Sequence, residues 1–88
     1  MNEGLRLYAH GRIHDALLIF FEELGDNSGN AVAHYMCGLA LQSLGLTGEA
    51  QTEWRHVLSL VRKTEGDMDV EAQWVRHKAE EVLAISST

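Results

Sequence analysis

The feature that most constrains this chain is its resemblance to itself when shifted by 34 residues. Gly4, Leu5, Leu7 and Gly11 recur as Gly38, Leu39, Leu41 and Gly45, while Ala16 recurs as Ala50 and Leu24 as Leu58. Asp15 falls on Glu49, and Phe20 on Trp54. In the second copy, apolar or small residues stand at Val32, Tyr35, Met36, Leu39 and Ala40, then at Ala50, Trp54, Val57, Leu58 and Val61. That three-to-four spacing predicts two amphipathic helices. Between them, Gly45 and Gly48 flank Leu46-Thr47, where the chain can reverse because glycine tolerates positive φ. A helical hairpin of this size cannot bury both faces of both helices alone, so it needs a neighbour.

The two copies read His34-x2-Cys37-Gly38-x2-Leu41 followed by Ala50-x3-Trp54, and Glu3-Gly4-x2-Leu7 followed by Ala16-x3-Phe20. A helix–turn–helix unit with this period and these spacings resembles the tetratricopeptide repeat. The resemblance implies an all-α fold of five helices, a right-handed superhelical stack of antiparallel helix pairs. The first repeat would cover about 1–29, the second about 30–63, and a capping helix about 67–85. The residue types suit that packing. Gly4, Gly38, Ala16 and Ala50 would let paired helices approach, and Leu7, Leu41, Phe20 and Trp54 would fill the space between them. The chain departs from the family's pattern at three points. His34 replaces the opening large aromatic, Leu7 and Leu41 replace the tyrosine, and there is no proline to close either copy. A generic helical bundle is the competing reading.

Taken in order, the first helix is expected from about Asn2 to His10, with Gly11-Arg12 as its turn. Asp15 then sits in the first turn of a second helix, where a carboxylate favours the positive helix end. That helix should run to about Leu24, with Gly25 as its C-cap residue. Asn30 is a suitable N-cap for a third helix over Ala31 to Leu44. The fourth, about Glu49 to Lys63, ends on cations as the dipole prefers. Asp67 or Asp69 is expected to cap a fifth helix reaching about Ile85. Its Ala72 and Val75 align with Gly38 and Leu41, so it reads as half of a third repeat. Arg76, Lys78, Glu80 and Glu81 give it the wet face a terminal repeat element needs.

Composition narrows the function. Eighty-eight residues make one small domain with a thin stability margin, and 45% hydrophobic content is globular rather than disordered. A net charge of −6 argues against nucleic acid and against an anionic membrane surface. One cysteine excludes an internal disulfide and fits a reducing compartment. No apolar run approaches the ~20 residues of a membrane span, and Leu17 to Phe21 is too short for a signal-peptide core. A cytoplasmic protein is the expectation.

Little of the sequence points to chemistry. His10 and His14 are separated by the Gly11 turn, and His34, His56 and His77 are scattered with no H-E-x-x-H spacing or second cysteine. Solvated or hydrogen-bonded histidines are therefore expected, with no metal and no cofactor. Cys37 stands where the repeat wants a core leucine, so a buried hydrophobe is expected rather than a reactive thiol. Glu22-Glu23 and Glu80-Glu81 are adjacent pairs that face different ways on a helix. An enzyme is not expected.

What remains is surface. The resemblance implies a concave groove lined by the first helix of each repeat. Here that means Met1, Leu5, Tyr8 and Ala9, then Val32, Tyr35, Met36, Leu39, Gln42 and Ser43. The family's best-known groove grips a peptide carboxylate with lysine, arginine and asparagine, and none occurs at these positions. The expected partner is then an apolar or aromatic protein segment, an amphipathic helix or extended peptide. Alternatively the fifth helix, through Trp74 and Val75, fills the groove itself. The second helix adds another possibility. It has Leu17, Leu18, Ile19 and Phe21 where the fourth has Gln51, Thr52, Glu53 and Arg55. Covering Leu17, Leu18 and Phe21 calls for a homodimer or for a preceding repeat. Met1 reads as a genuine start, which favours the dimer. The sequence thus leaves two main readings, an interaction or scaffold module and a structural self-association element, with a small acidic regulatory bundle third.

Overall fold

The computed structural model describes residues 2–62 and 70–86. Among these the chain forms five helices and no strand: α1 Asn2–Ala9, α2 Ile13–Asp26, α3 Ala31–Ser43, α4 Thr47–Arg62 and α5 Val70–Ser86. Each helix packs on the next, and α5 also reaches α3.

The two hairpins are built alike down to single hydrogen bonds. After α1, Gly11 adopts φ +79° and its N–H donates to Tyr8 O (3.0 Å), while Arg12 N–H donates to Leu7 O (2.9 Å). After α3, Gly45 adopts φ +82°, its N–H donates to Gln42 O (2.9 Å), and Leu46 N–H donates to Leu41 O (2.9 Å). Both are left-handed glycine caps of the Schellman kind, which satisfy the last carbonyls of a helix while turning the chain. The reversal then sets Gly4 against Phe20 and Gly38 against Trp54, residues nearly equidistant from their turns, so each pair runs antiparallel. A Cβ on Gly4 would lie 2.5 Å from Phe20 Cε1, and one on Gly38 would lie 2.6 Å from Trp54 Cδ1. No real carbon sits that close, so the two aromatics occupy space that only glycine leaves open. Phe20, Trp54, Ala16 and Ala50 are all fully buried.

Several helix ends differ from the sequence reading by one or two residues. Gly25 is not the C-cap of α2: the helix continues through it to Asp26, and Asn27 caps it with its N–H on Glu23 O (2.9 Å). The Asn27 side chain accepts from Gly29 N–H (3.2 Å), and Asn30 N–H donates to Asn27 O (3.1 Å). The side chain's own turn therefore stops the helix, and no left-handed glycine is needed. α4 begins at Thr47, before Glu49, and α5 extends to Ser86. The expected Asp67 or Asp69 cap lies outside the described residues. Asn30 does cap α3, accepting from Ala33 N–H (3.1 Å) and donating through Nδ2 to Glu23 Oε1 (3.1 Å).

α5 closes the far side of α4. Val75 and Ala79 are buried, and Gln51 Nε2 near the start of α4 donates to Ser86 Oγ (3.0 Å) at the end of α5. Val75 is thus buried, as Leu41 is. No described helix is long and apolar enough to cross a membrane.

Candidate partner-binding face

Three helices bring aromatic residues to one side of the molecule. Tyr8 of α1 lies with its hydroxyl 3.5 Å from Ser43 Oγ at the end of α3. Trp74 of α5 meets Tyr35 of α3 edge to face, with ring centroids 5.8 Å apart. Burial pushes the Tyr35 phenol above its ordinary range, and the Glu81 carboxylate and the Tyr8 phenol push it further the same way. Both groups therefore lie close enough to Tyr35 to be felt electrostatically. Glu81 in turn stands 3.8 Å from His77 Nε2 and 4.0 Å from Lys78 Nζ, long and exposed pairs that contribute little energy.

The residues expected in the groove divide into floor and rim. Tyr35 and Met36 are buried and belong to the core, so they form a floor. Leu5 is 39% exposed, Tyr8 and Leu39 are half-buried, and Gln42 is exposed. Ser43 is held by donating to Leu39 O (3.1 Å). Met1 lies outside the described residues. Val32 sits at the opposite end of α3, in a cleft of about 330 Å³ shared with Val61 and Val75. The fifth helix does reach this side, but it does not close it. Val75 is inserted between helices while Trp74, one residue earlier, stays 47% exposed. Trp74 and Glu81 are thus site residues that the groove positions did not include. The signal in the sequence was the capping-helix stripe, which groups Trp74 with Val75 but cannot say which of the two faces out.

The second site-like cluster is polar. His34 Nε2 lies 2.9 Å from Ser28 O and Nδ1 lies 2.7 Å from Glu53 Oε2, while the His56 ring stacks on it at 4.3 Å. His34 and His56, scattered in the sequence, are therefore neighbours. Ser28 O can only accept, so Nε2 carries hydrogen. The Glu53 contact is a hydrogen bond when Nδ1 carries one as well. The cluster ties the loop before α3 to α4. Among the described residues no three His, Cys, Asp or Glu side chains group as a metal site. Cys37 is fully buried beside this cluster, and burial, reinforced by the Glu53 carboxylate, pushes its thiol up to about 12. A thiol so placed stays protonated near neutral pH and is a poor nucleophile.

On the other side of the molecule, the residues expected to self-associate are not equivalent. Leu17 is half-buried and packs on the core, whereas Leu18 is 62% and Phe21 46% exposed. Compared with known proteins, the chain matches no family model, no curated protein and no solved structure.

Proposed function

We propose that this chain is a protein–protein interaction module of stacked helix–turn–helix repeats, similar in arrangement to tetratricopeptide repeats. It takes an apolar or aromatic partner segment on the face shared by α1, α3 and α5. The observation that carries the reading is the half-open aromatic side built from Tyr8, Tyr35 and Trp74, with Leu5 and Leu39 beside it. A tryptophan left half in water on a rigid floor is the kind of anchor point that interfaces use, because it adds large contact area at little entropic cost. The repeat arrangement is supported by the matched Gly11 and Gly45 turns and the matched Gly–aromatic contacts. Binding would be scaffold-like, with no chemical step and no cofactor.

The test is a displayed library of random 15-residue peptides selected on the wild-type chain and counter-screened on Trp74→Ala. Enriched peptides should carry Leu, Phe or Trp at helical or alternating spacing. They should lose at least tenfold in affinity to Trp74→Ala and to Leu5→Asp, with little dependence on salt. Peptides that bind Trp74→Ala and wild type equally, or acidic C-terminal peptides whose binding collapses with salt, would show that this face is not the binding site.

A further inference from the structure

An arginine keeps its charge at any ordinary pH, so an exposed one either has a counter-ion in the protein or is open to one from outside. Acids are plentiful here, 13 against 7 lysines and arginines. Arg12 has taken Asp15 at 2.7 Å, and Lys78 lies 4.0 Å from Glu81. Arg55 and Arg62 of α4 and Arg76 of α5 are exposed and make no ion pair among the described residues. Residues 55, 59 and 62 follow one another at steps of four and three, so they share one face of α4. Neither acid of α4 shares that face. Glu53 lies 2.7 Å from His34 Nδ1, and Glu49 stands in the first turn, roughly a third of a turn round the helix from Arg55.

The three cations stand over shaped surface. Arg55, Leu58, Ser59 and Arg62 line a cleft of about 400 Å³. A second cleft of about 240 Å³, lined by Leu58, Val61, Arg62, Arg76 and Glu80, shares Leu58 and Arg62 with it. Glu80 is the one carboxylate among the described residues of the two linings, so three cations face a single anion. Seven residues of helix set Arg55 and Arg62 about 10 Å apart along α4. Residues three apart on an extended peptide, at about 3.3 Å each, span the same distance. Leu58, half-buried between the two arginines, offers apolar surface to a side chain from the intervening residues. Ser59 adds a hydroxyl that can donate to a peptide carbonyl.

We infer that this face of α4 and α5 docks an acidic segment of a protein partner, extended, with carboxylates three residues apart and an apolar residue between them. The planar guanidinium fork suits a carboxylate, and arginine clusters are a recurring device for acidic peptides. Longer polyanions fit less well. Three cations on a chain of net charge −6 cannot track a nucleic acid or hold an anionic membrane against the remaining acids. Trp74 and Arg76, two residues apart, look to roughly opposite sides of α5. The arginine face is therefore separate from the aromatic one, and each stands or falls alone. Pairs between exposed charges are weak, so this is a supplementary contact with a Kd on the order of 100 µM at low salt.

An NMR titration of the isotope-labelled full chain with the blocked peptide Gly-Glu-Ala-Leu-Glu-Gly tests this. At about 20 mM salt, saturable shifts should centre on Arg55, Ser59, Arg62 and Arg76, and raising the salt to about 200 mM should weaken binding about fivefold or more. Arg55→Gln and Arg62→Gln should each weaken binding about threefold or more, and the triple Gln variant at 55, 62 and 76 should show none at about 2 mM peptide. These side chains are exposed, so the helical spectrum should not change. Arg6→Gln, which removes an equal charge from an exposed arginine of α1, should bind within about twofold of wild type, and so should Trp74→Ala. The absence of saturable shifts overturns the proposal, as does binding untouched in the triple variant. An equal loss in Arg6→Gln overturns it too, since net charge alone would then be at work. Phosphatidylserine vesicles that bind wild type but not the triple variant, where the peptide binds neither, would replace the acidic partner with a membrane surface.

Discussion

Replacing Gly38 by alanine adds one methyl group at the most crowded point of the molecule. That carbon would lie 2.6 Å from Trp54 Cδ1 and closer still to the indole nitrogen. Trp54 is fully buried and cannot swing into solvent, and its Nε1–H donates to Tyr35 O (3.3 Å). To relieve the clash, α3 and α4 must separate or the indole must tilt out of that hydrogen bond. Overpacking of this kind costs about 1–3 kcal/mol, and loss of the hydrogen bond adds about 1 kcal/mol. Against this, alanine is about 1 kcal/mol better than glycine inside a helix. The net expectation is a loss of about 2 kcal/mol, which for a domain of this size lowers the Tm by roughly 8–16 °C. Gly25→Ala is the internal control, since it lies within α2 with open space around it. There only the helix preference acts, and a gain of about 0.5–1 kcal/mol is expected. Urea unfolding followed by circular dichroism on both variants, with Trp54→Leu and the Gly38→Ala/Trp54→Leu pair, completes the measurement. In the Trp54→Leu background the Gly38→Ala cost should shrink by at least half. The close-approach argument is refuted if Gly38→Ala is as stabilising as Gly25→Ala, or if its cost is unchanged when Trp54 is gone.

Cys37 should resist maleimide labelling in the folded chain at pH 8 and react promptly in urea; a folded-state labelling rate that levels off near pH 9 would contradict its burial. Linkage gives the sign of the pH dependence. The folded Cys37 thiol keeps its proton up to about 12, while the unfolded one loses it near 9.0. Stability is therefore undiminished on this account below about pH 9 and falls as pH rises from there toward 12. Tyr35, raised from 10.0, acts in the same direction. An alkaline melting series showing a constant Tm from pH 8 to 11 would exclude both. His34→Ala removes bonds to Ser28 O and Glu53 and should cost about 2–3 kcal/mol, read by urea unfolding at neutral pH. Asn30→Ala removes the α3 cap and the tie to Glu23, and should cost about 0.5–2 kcal/mol in the same assay. A change below 0.3 kcal/mol would mean that the cap contributes nothing.

The local elements of this fold were legible in the sequence because they depend on residue type and spacing alone. Gly11 and Gly45 stand as left-handed residues at the two turns the sequence marked, whereas Gly48, marked together with Gly45, lies inside α4 without a positive φ. The sequence marked Gly4 and Gly38 as points of close approach and Phe20 and Trp54 as the residues that fill the space between helices, while their one-to-one contacts came from the structure. Asn30 as a cap needed only its neighbours. Tertiary packing decided what sequence spacing cannot express. Gly25 has the chemistry of a cap, yet the helix runs through it, because the Asn27 turn satisfies the chain one step later. Tyr35 and Leu39 occupy the same first-helix stripe, but α5 covers Tyr35 and leaves Leu39 half open. Val75 and Trp74 are adjacent apolar residues, and only the angle at which α5 meets α4 determines that the valine goes in and the tryptophan stays out. The meeting of His34 with Ser28, Glu53 and His56 is likewise a product of two helices brought side by side. Periodicity fixes which residues share a helix face, whereas the packing of separate helices fixes which faces become surface.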